Sequence, residues 1–243
     1  MSSAATIRVQ IEKRLPGAFS TYSPPEHQML RTGVSAIDSA AGGVPKGALT
    51  QVCGARWTSS GKTALLVSLL AQSTSAGECC ALIDSADSFD PISAEAAGVD
   101  LEYVLWVRCA DNQPLSRLEQ AFKAADILLQ NGGFGLIGVD LGNCEERLVR
   151  RVPLSTLFRF ARVVEKMPTA LVLLTPIASA QSCAGLTVRL GSATPAWSQP
   201  NNTLTHGRLL DELEYEAEVA RTRLKKPVAS VGRGFAATAR WVE

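Results

Sequence analysis

The chain has 243 residues, enough for one substantial core or two small ones, and 46% of them are hydrophobic, which excludes a disordered or purely solvating protein. Basic residues number 24 against 23 acidic ones, a net charge of +1, so a uniformly basic nucleic-acid coat is excluded and any DNA contact must come from a local patch. The N-terminus MSSAATIRVQIEKR has no apolar signal core, and the longest apolar run, around Thr169–Ala180, is broken by Pro176. The sequence therefore reads as a cytoplasmic globular protein with no membrane segment.

Residues 1–28 read as a polar arm with one short helix over Ile7–Arg14, followed by the turn-rich FSTYSPPEH; residues 29–243 read as a single domain. The pattern then predicts strand Leu49–Cys53, helix Lys62–Ser73, strand Cys80–Asp84, helix Asp90–Ala97 and strand Tyr103–Arg108. Helix Pro114–Asn131, strand Leu136–Asp140, helix Leu154–Lys166 and strand Ala170–Thr175 follow. Strands alternating with helices imply βαβ units, an α/β fold whose mostly parallel twisted sheet is covered on both faces. After Thr175 the helices stop, and Leu186–Leu190, Leu213–Arg223 and Phe235–Val242 read as an antiparallel extension. The six cysteines contain no CxxC pair and read as small buried thiols.

The strongest local feature is Ser59-Ser60-Gly61-Lys62-Thr63, between the strand LTQVCG and the helix KTALLVSLLAQS. A lysine at a helix N-terminus meets the positive end of the macrodipole and is disfavoured without an anion there. A glycine turn aiming free N–H groups at one point, with Lys62 above and the Thr63 hydroxyl beside it, suits a polyphosphate and its metal. The usual cradle has glycine five residues before Gly61, but Arg56 stands there; Gly54 lies two residues further back, so Ala55-Arg56-Trp57-Thr58 lengthens the loop. Asp140, ending the apolar run Gly135–Val139, is the second part of the site. Such an aspartate serves as an ordinary turn-starter or cap, or holds magnesium; beside Lys62 and Thr63 the metal role is preferred.

In Leu213–Arg223 the odd positions Leu213, Tyr215, Ala217 and Val219 are apolar, whereas Glu214, Glu216 and Glu218 face the other way. Arg221 and Arg223 are expected to continue the odd face, about 7 Å apart by strand rise. Two guanidiniums there would clamp a second subunit's phosphates, or simply pair with local carboxylates. Arg147, Arg150 and Arg151 form a further basic group, which a solvated helix face also explains.

The segment LRTGVSAIDSAAGGVPKGALTQVCG with SSGKT resembles the core opening of RecA-type recombinases, and LIDSADSFDPISAEAAGVDLEYVLWVRC, FGLIGVD and VARTRLKKPV are similar to later parts of that core. The resemblance implies a RecA-like P-loop fold over residues 29–243, ATP and Mg2+ as cofactors, and a nucleotide site comprising Gly54, Ser59, Ser60, Gly61, Lys62, Thr63 and Asp90. It also implies that Arg221 and Arg223 reach a neighbouring subunit's nucleotide. Over its whole length the chain resembles the ImuA family, RecA-like accessory proteins of bacterial damage-induced (SOS) translesion synthesis. That resemblance implies RecA or an ImuB-type polymerase complex as partner, with at most weak DNA contact.

Four departures from the RecA pattern matter. The glutamate that activates the attacking water is matched by Ala86, with Asp87 as a substitute base; loss of such a group costs about 10²–10⁴ in rate. The nucleotide-sensing glutamine is matched by Pro176, and the adenine-stacking tyrosine by Ser93. The second DNA loop shrinks to Ile177–Ser182, which has no cation. The expectation is a nucleotide-binding accessory protein with weak or no hydrolysis; the alternative is an active DNA-dependent ATPase of RecA type.

Overall fold

Strands that are apolar along their whole length must be buried on both faces, and that requirement governs this architecture. The computed structural model describes residues 4–14, 26–55, 60–111, 116–197, 210–223 and 233–238. Helix α1 (Ala4–Arg14) comes first, then a small antiparallel ribbon, β1 (Met29–Leu30) with β2 (Val44–Pro45), which encloses α2 (Ser35–Ala41). The alternating core runs β3 (Ala48–Cys53), α3 (Lys62–Ser75), β4 (Cys80–Asp84), α4 (Pro91–Ala96), β5 (Val104–Arg108), α5 (Arg117–Asn131) and β6 (Leu136–Asp140). It continues through α6 (Glu146–Arg150), α7 (Leu154–Val164), β7 (Ala170–Thr175) and β8 (Leu186–Leu190). Strands β9 (Thr194–Trp197), β10 (Leu210–Thr222) and β11 (Arg233–Thr238) complete the described elements.

One sheet joins β11, β10, β8, β3, β7, β6, β4 and β5 in that spatial order, with β9 also paired to β10. The strands from β8 to β5 are parallel, and β10 is antiparallel to each of its partners. The α/β fold with a mostly parallel sheet and an antiparallel extension is therefore as expected. On one face Val52, Leu82 and Val172 meet Ile37 of α2, Leu65, Leu69 and Leu70 of α3 and Ala94 of α4. On the other, Ile83, Ile137 and Leu171 meet Ala125 and Leu129 of α5 and Leu157, Phe160 and Val164 of α7. Each such leucine contributes on the order of 2 kcal/mol by leaving water, so neither layer is dispensable.

Local signals explain most boundaries. The α5 helix starts at Arg117, where Ser116 caps it: its hydroxyl accepts the Glu119 N–H at 3.3 Å, and the Glu119 carboxylate accepts the Ser116 N–H at 2.9 Å; Pro114, the expected start, lies outside the described residues. The elements the sequence pattern does not show, β1, β2, α2, α6 and β9, are all seven residues or shorter, too short to display a period. Part of the strand expected over Phe235–Val242 lies outside the described residues. Among the described residues no helix is long and apolar enough to cross a membrane.

Candidate nucleotide-binding site

The parallel strands β3, β4, β6 and β7 all end at one edge of the sheet, where Asp84 lies opposite Asp140, Asp140 opposite Leu174, and Cys53 opposite Thr175 one residue further on. Brought to that edge, β3 runs into Gly54. A Cβ on Gly54 would lie 2.8 Å from both Cβ and Oγ of Ser60 and 3.0 Å from the Leu190 carbonyl, so the two ends of the loop are pinched together where only glycine fits. Residues 56–59, most of the lengthened stretch and Ser59 of the expected site, lie outside the described residues. Gly61 takes φ +72°, a left-handed turn that favours glycine, and α3 begins at Lys62 with no side-chain cap on its N–H groups. An uncapped helix start of this kind presents N–H donors to an anion.

Lys62 is buried, and its ammonium donates to the Gly54 carbonyl at 2.5 Å and the Ala55 carbonyl at 3.2 Å. Burial lowers its pKa, and the charge of Asp140 opposes that shift. Asp140 is likewise buried. Loss of water pushes its pKa up to about 6, the neighbouring Asp84 adds to this, and the Gly142 N–H (2.7 Å to Oδ1) and Lys62 work against it. Gly142 ties the two charged groups together: a Cβ there would sit 3.0 Å from Asp140 Oδ1 and 3.0 Å from Lys62 Cε. The result is a cation and an under-compensated carboxylate on either side of one glycine, with Thr63 exposed in the first turn of α3. Among the described residues no three His, Cys, Asp or Glu side chains group to hold a metal by themselves. That suits magnesium, which typically arrives with phosphate oxygens and needs only one or two protein ligands. The donor set thus fits a nucleoside polyphosphate with its metal.

The other expected residues are disposed differently. Ala86 brings only a methyl group. Asp87, the substitute base, is exposed, and both its oxygens accept from Arg108 at 2.6 and 2.7 Å; this pairing holds the carboxyl below its usual range and leaves a poor proton acceptor. Asp90 caps α4, accepting the Ile92 and Ser93 N–H groups at 3.2 and 3.3 Å and the Ser93 hydroxyl. Arg147 and Arg150 pair with Glu145 and Glu146 beside them.

Arg221 and Arg223 do not continue the apolar face. Val219 lies opposite Val188 but Arg221 lies opposite Thr187, so Ala220 is an extra residue, a bulge that swaps the faces. Thr222 takes the Leu186 side, and the two arginines join the face that carries Glu214, Glu216 and Glu218. They also sit at the start of β3 and β8, roughly 10 Å or more from their own phosphate loop by strand rise.

One participant escaped sequence analysis. Gln51, fully buried in β3, has its amide nitrogen within hydrogen-bond distance of Thr175 Oγ1 (2.8 Å), the Ile177 carbonyl (3.0 Å) and Ser179 Oγ (3.1 Å), while its carbonyl accepts the Ala180 N–H at 3.0 Å. It thereby pins the shortened loop after β7, beside Pro176. A glutamine inside a strand that is apolar but for Thr50 was the available signal.

A family model described as RecA N-terminal domain matches residues 18–144, just over half of the chain. The chain belongs to the RecA N-terminal domain family. The matched segment includes Gly54, Lys62, Thr63 and Asp140 and stops before the loop that Gln51 pins. The chain is 36% identical over 115 residues to Protein RecA of Deinococcus radiodurans, covering 46% of this chain and 30% of that protein. It is 39% identical over 113 residues to Protein RecA of Rubrobacter xylanophilus, with the same coverage, 46% and 30%. The match thus spans less than a third of the length of either RecA relative.

Proposed function

We propose that this chain is a RecA-like nucleotide-binding accessory protein of bacterial DNA repair and damage tolerance, of the kind that serves SOS translesion synthesis. In this reading it works in the cytoplasm, binds ATP with Mg2+, hydrolyses it slowly or not at all, and acts through contacts with RecA or an ImuB-type polymerase complex. One contrast carries the reading. Lys62 and Asp140 converge across Gly142 on an uncapped helix start, whereas the carboxylates nearest the water-activating position, Asp84 and Asp87, already serve other partners.

Gly54, Ser60 and Gly61 shape the cradle with Ser59, Lys62 neutralises phosphate charge, and Thr63 and Asp140 hold the metal. The metal, when bound, draws charge from the phosphate oxygens. Asp90 contributes by fixing the start of α4. Arg221 and Arg223 lie at the opposite end of β3 and β8 from their own loop, so the phosphates they would meet belong to a second subunit, of this chain or of a partner.

Titration calorimetry with ATP and magnesium, followed by steady-state turnover with and without single-stranded DNA, tests the reading. Heat that disappears in Lys62→Ala, with no DNA-stimulated turnover, is the expected result. Membership of the RecA N-terminal domain family, with Lys62, Thr63 and Asp140 in the matched segment, favours a second reading, an active DNA-dependent ATPase recombinase. DNA-stimulated turnover at recombinase-like rates would establish that instead, and absence of heat at millimolar nucleotide would leave a pure scaffold.

A further inference from the structure

Helix α7 buries Leu157, Phe160 and Val164, and its opposite side is not a plain solvated face. Phe158 is 41% exposed. With Val163 and Met167 it floors an open groove flanked by Arg159, Arg162 and Lys166, and no carboxylate lines that groove. Arg159 is shared with Asp126 at 3.3 Å, but among the described residues Arg162 and Lys166 have no ion pair. Arg159 and Arg162 lie one turn apart on α7 and Lys166 follows in the turn just beyond its end, a short cationic stripe in which, among the described residues, only Arg159 has an anion, Asp126, beside it. Phe158 and Arg162 also line an adjoining cavity of about 210 Å3 beneath the start of β3, which Glu165 and Arg223 share. The two concavities thus share Phe158 and Arg162, with Glu165 as the carboxylate of the second.

The ligand must satisfy both features. From Arg159 to Lys166 the stripe is roughly 10 Å long, matching only about three phosphates of a nucleic-acid strand. Glu165 in the adjoining cavity would repel a polyanion, yet accept an N–H from a peptide. An apolar floor with one exposed aromatic is the usual form of an anchor pocket at a protein interface. We propose that the outer face of α7 docks an acidic segment of another protein, which sets Asp or Glu side chains against Arg162 and Lys166 and lays an apolar residue beside Phe158.

The test is fluorescence anisotropy on the full chain, without nucleotide, so that its failure leaves the nucleotide reading standing. The probe is a fluorescein-labelled peptide of repeated Asp-Glu-Leu-Phe. It is compared with the same design carrying Lys-Lys for Asp-Glu, and with labelled oligothymidylate. We expect the acidic peptide to bind in a salt-sensitive manner, and affinity to fall about tenfold in Arg162→Glu and in Phe158→Ser at unchanged melting temperature. Lys166→Glu is the second charge variant should Arg162→Glu fail to fold. No binding of the acidic peptide, equal binding of the basic one, or unchanged affinity in the variants would overturn the proposal. So would oligothymidylate binding that Arg162→Glu abolishes, which would assign the face to nucleic acid.

Discussion

Asp84 and Asp140 end neighbouring parallel strands, opposite each other in register and both buried, yet they do different work. Asp84 has its carboxylate closed off: one oxygen accepts the Ala86 N–H at 3.1 Å, the other the Phe89 N–H at 2.9 Å, so its charge is spent on holding the turn that follows β4. Asp140 receives the Gly142 N–H and is held up at about 6, a carboxylate still short of positive charge, with Lys62 across the glycine. A strand-end aspartate is thus left open to a cation by what its neighbours leave unsatisfied, not by its place on the strand.

The largest expected effect sharpens the Asp140 side. Lys62→Ala should weaken nucleotide binding by about 100-fold or more, since a charge-assisted phosphate contact and the counter-charge of Asp140 both disappear; calorimetry reads it. Next comes Asp140→Asn. Asp140 is near 4 when unfolded and about 6 when folded, so its contribution to stability is full below pH ~4 and is lost as pH rises through about 6. The amide, uncharged throughout, should therefore stabilise the nucleotide-free protein at pH 7 by up to about 3 kcal/mol and do nothing at pH 4, while abolishing magnesium-dependent binding. Urea denaturation at the two pH values measures this, and destabilisation at pH 7 would contradict the contrast.

For Asp84→Asn the opposite sign is expected, a loss of about 1–3 kcal/mol because one buried N–H loses its acceptor, with nucleotide affinity kept. If Asp84→Asn instead removed magnesium dependence, the comparison would fail. Gly54→Ala should cost about 1–3 kcal/mol through the clash with Ser60, part of it recovered in the double variant with Ser60→Gly. The smallest effect belongs to Asp87→Asn: turnover should not change, because a carboxylate bound to Arg108 on the surface takes no part in it.

Much of this was legible beforehand because it depends on neighbours in sequence. The apolar runs at Cys80–Asp84 and Leu136–Asp140, the glycine turn at Gly61 and the lysine at a helix start all carry their physics within a few residues. What escaped depends on pairing between distant segments. The Asp87–Arg108 and Gln51–Ala180 contacts join different elements, and no local period reveals them.

The alternating fold and the glycine turn that leads into a helix-start lysine were thus set by sequence alone, since helix and strand periods and a glycine's backbone freedom are local properties. Only the tertiary structure decided that Asp84 is bound to its own turn whereas Asp140 stands across Gly142 from Lys62. It also decided on which face Arg221 and Arg223 emerge, because a single unpaired residue, Ala220, reverses the sides of a strand, and such a bulge exists only in the register between two strands.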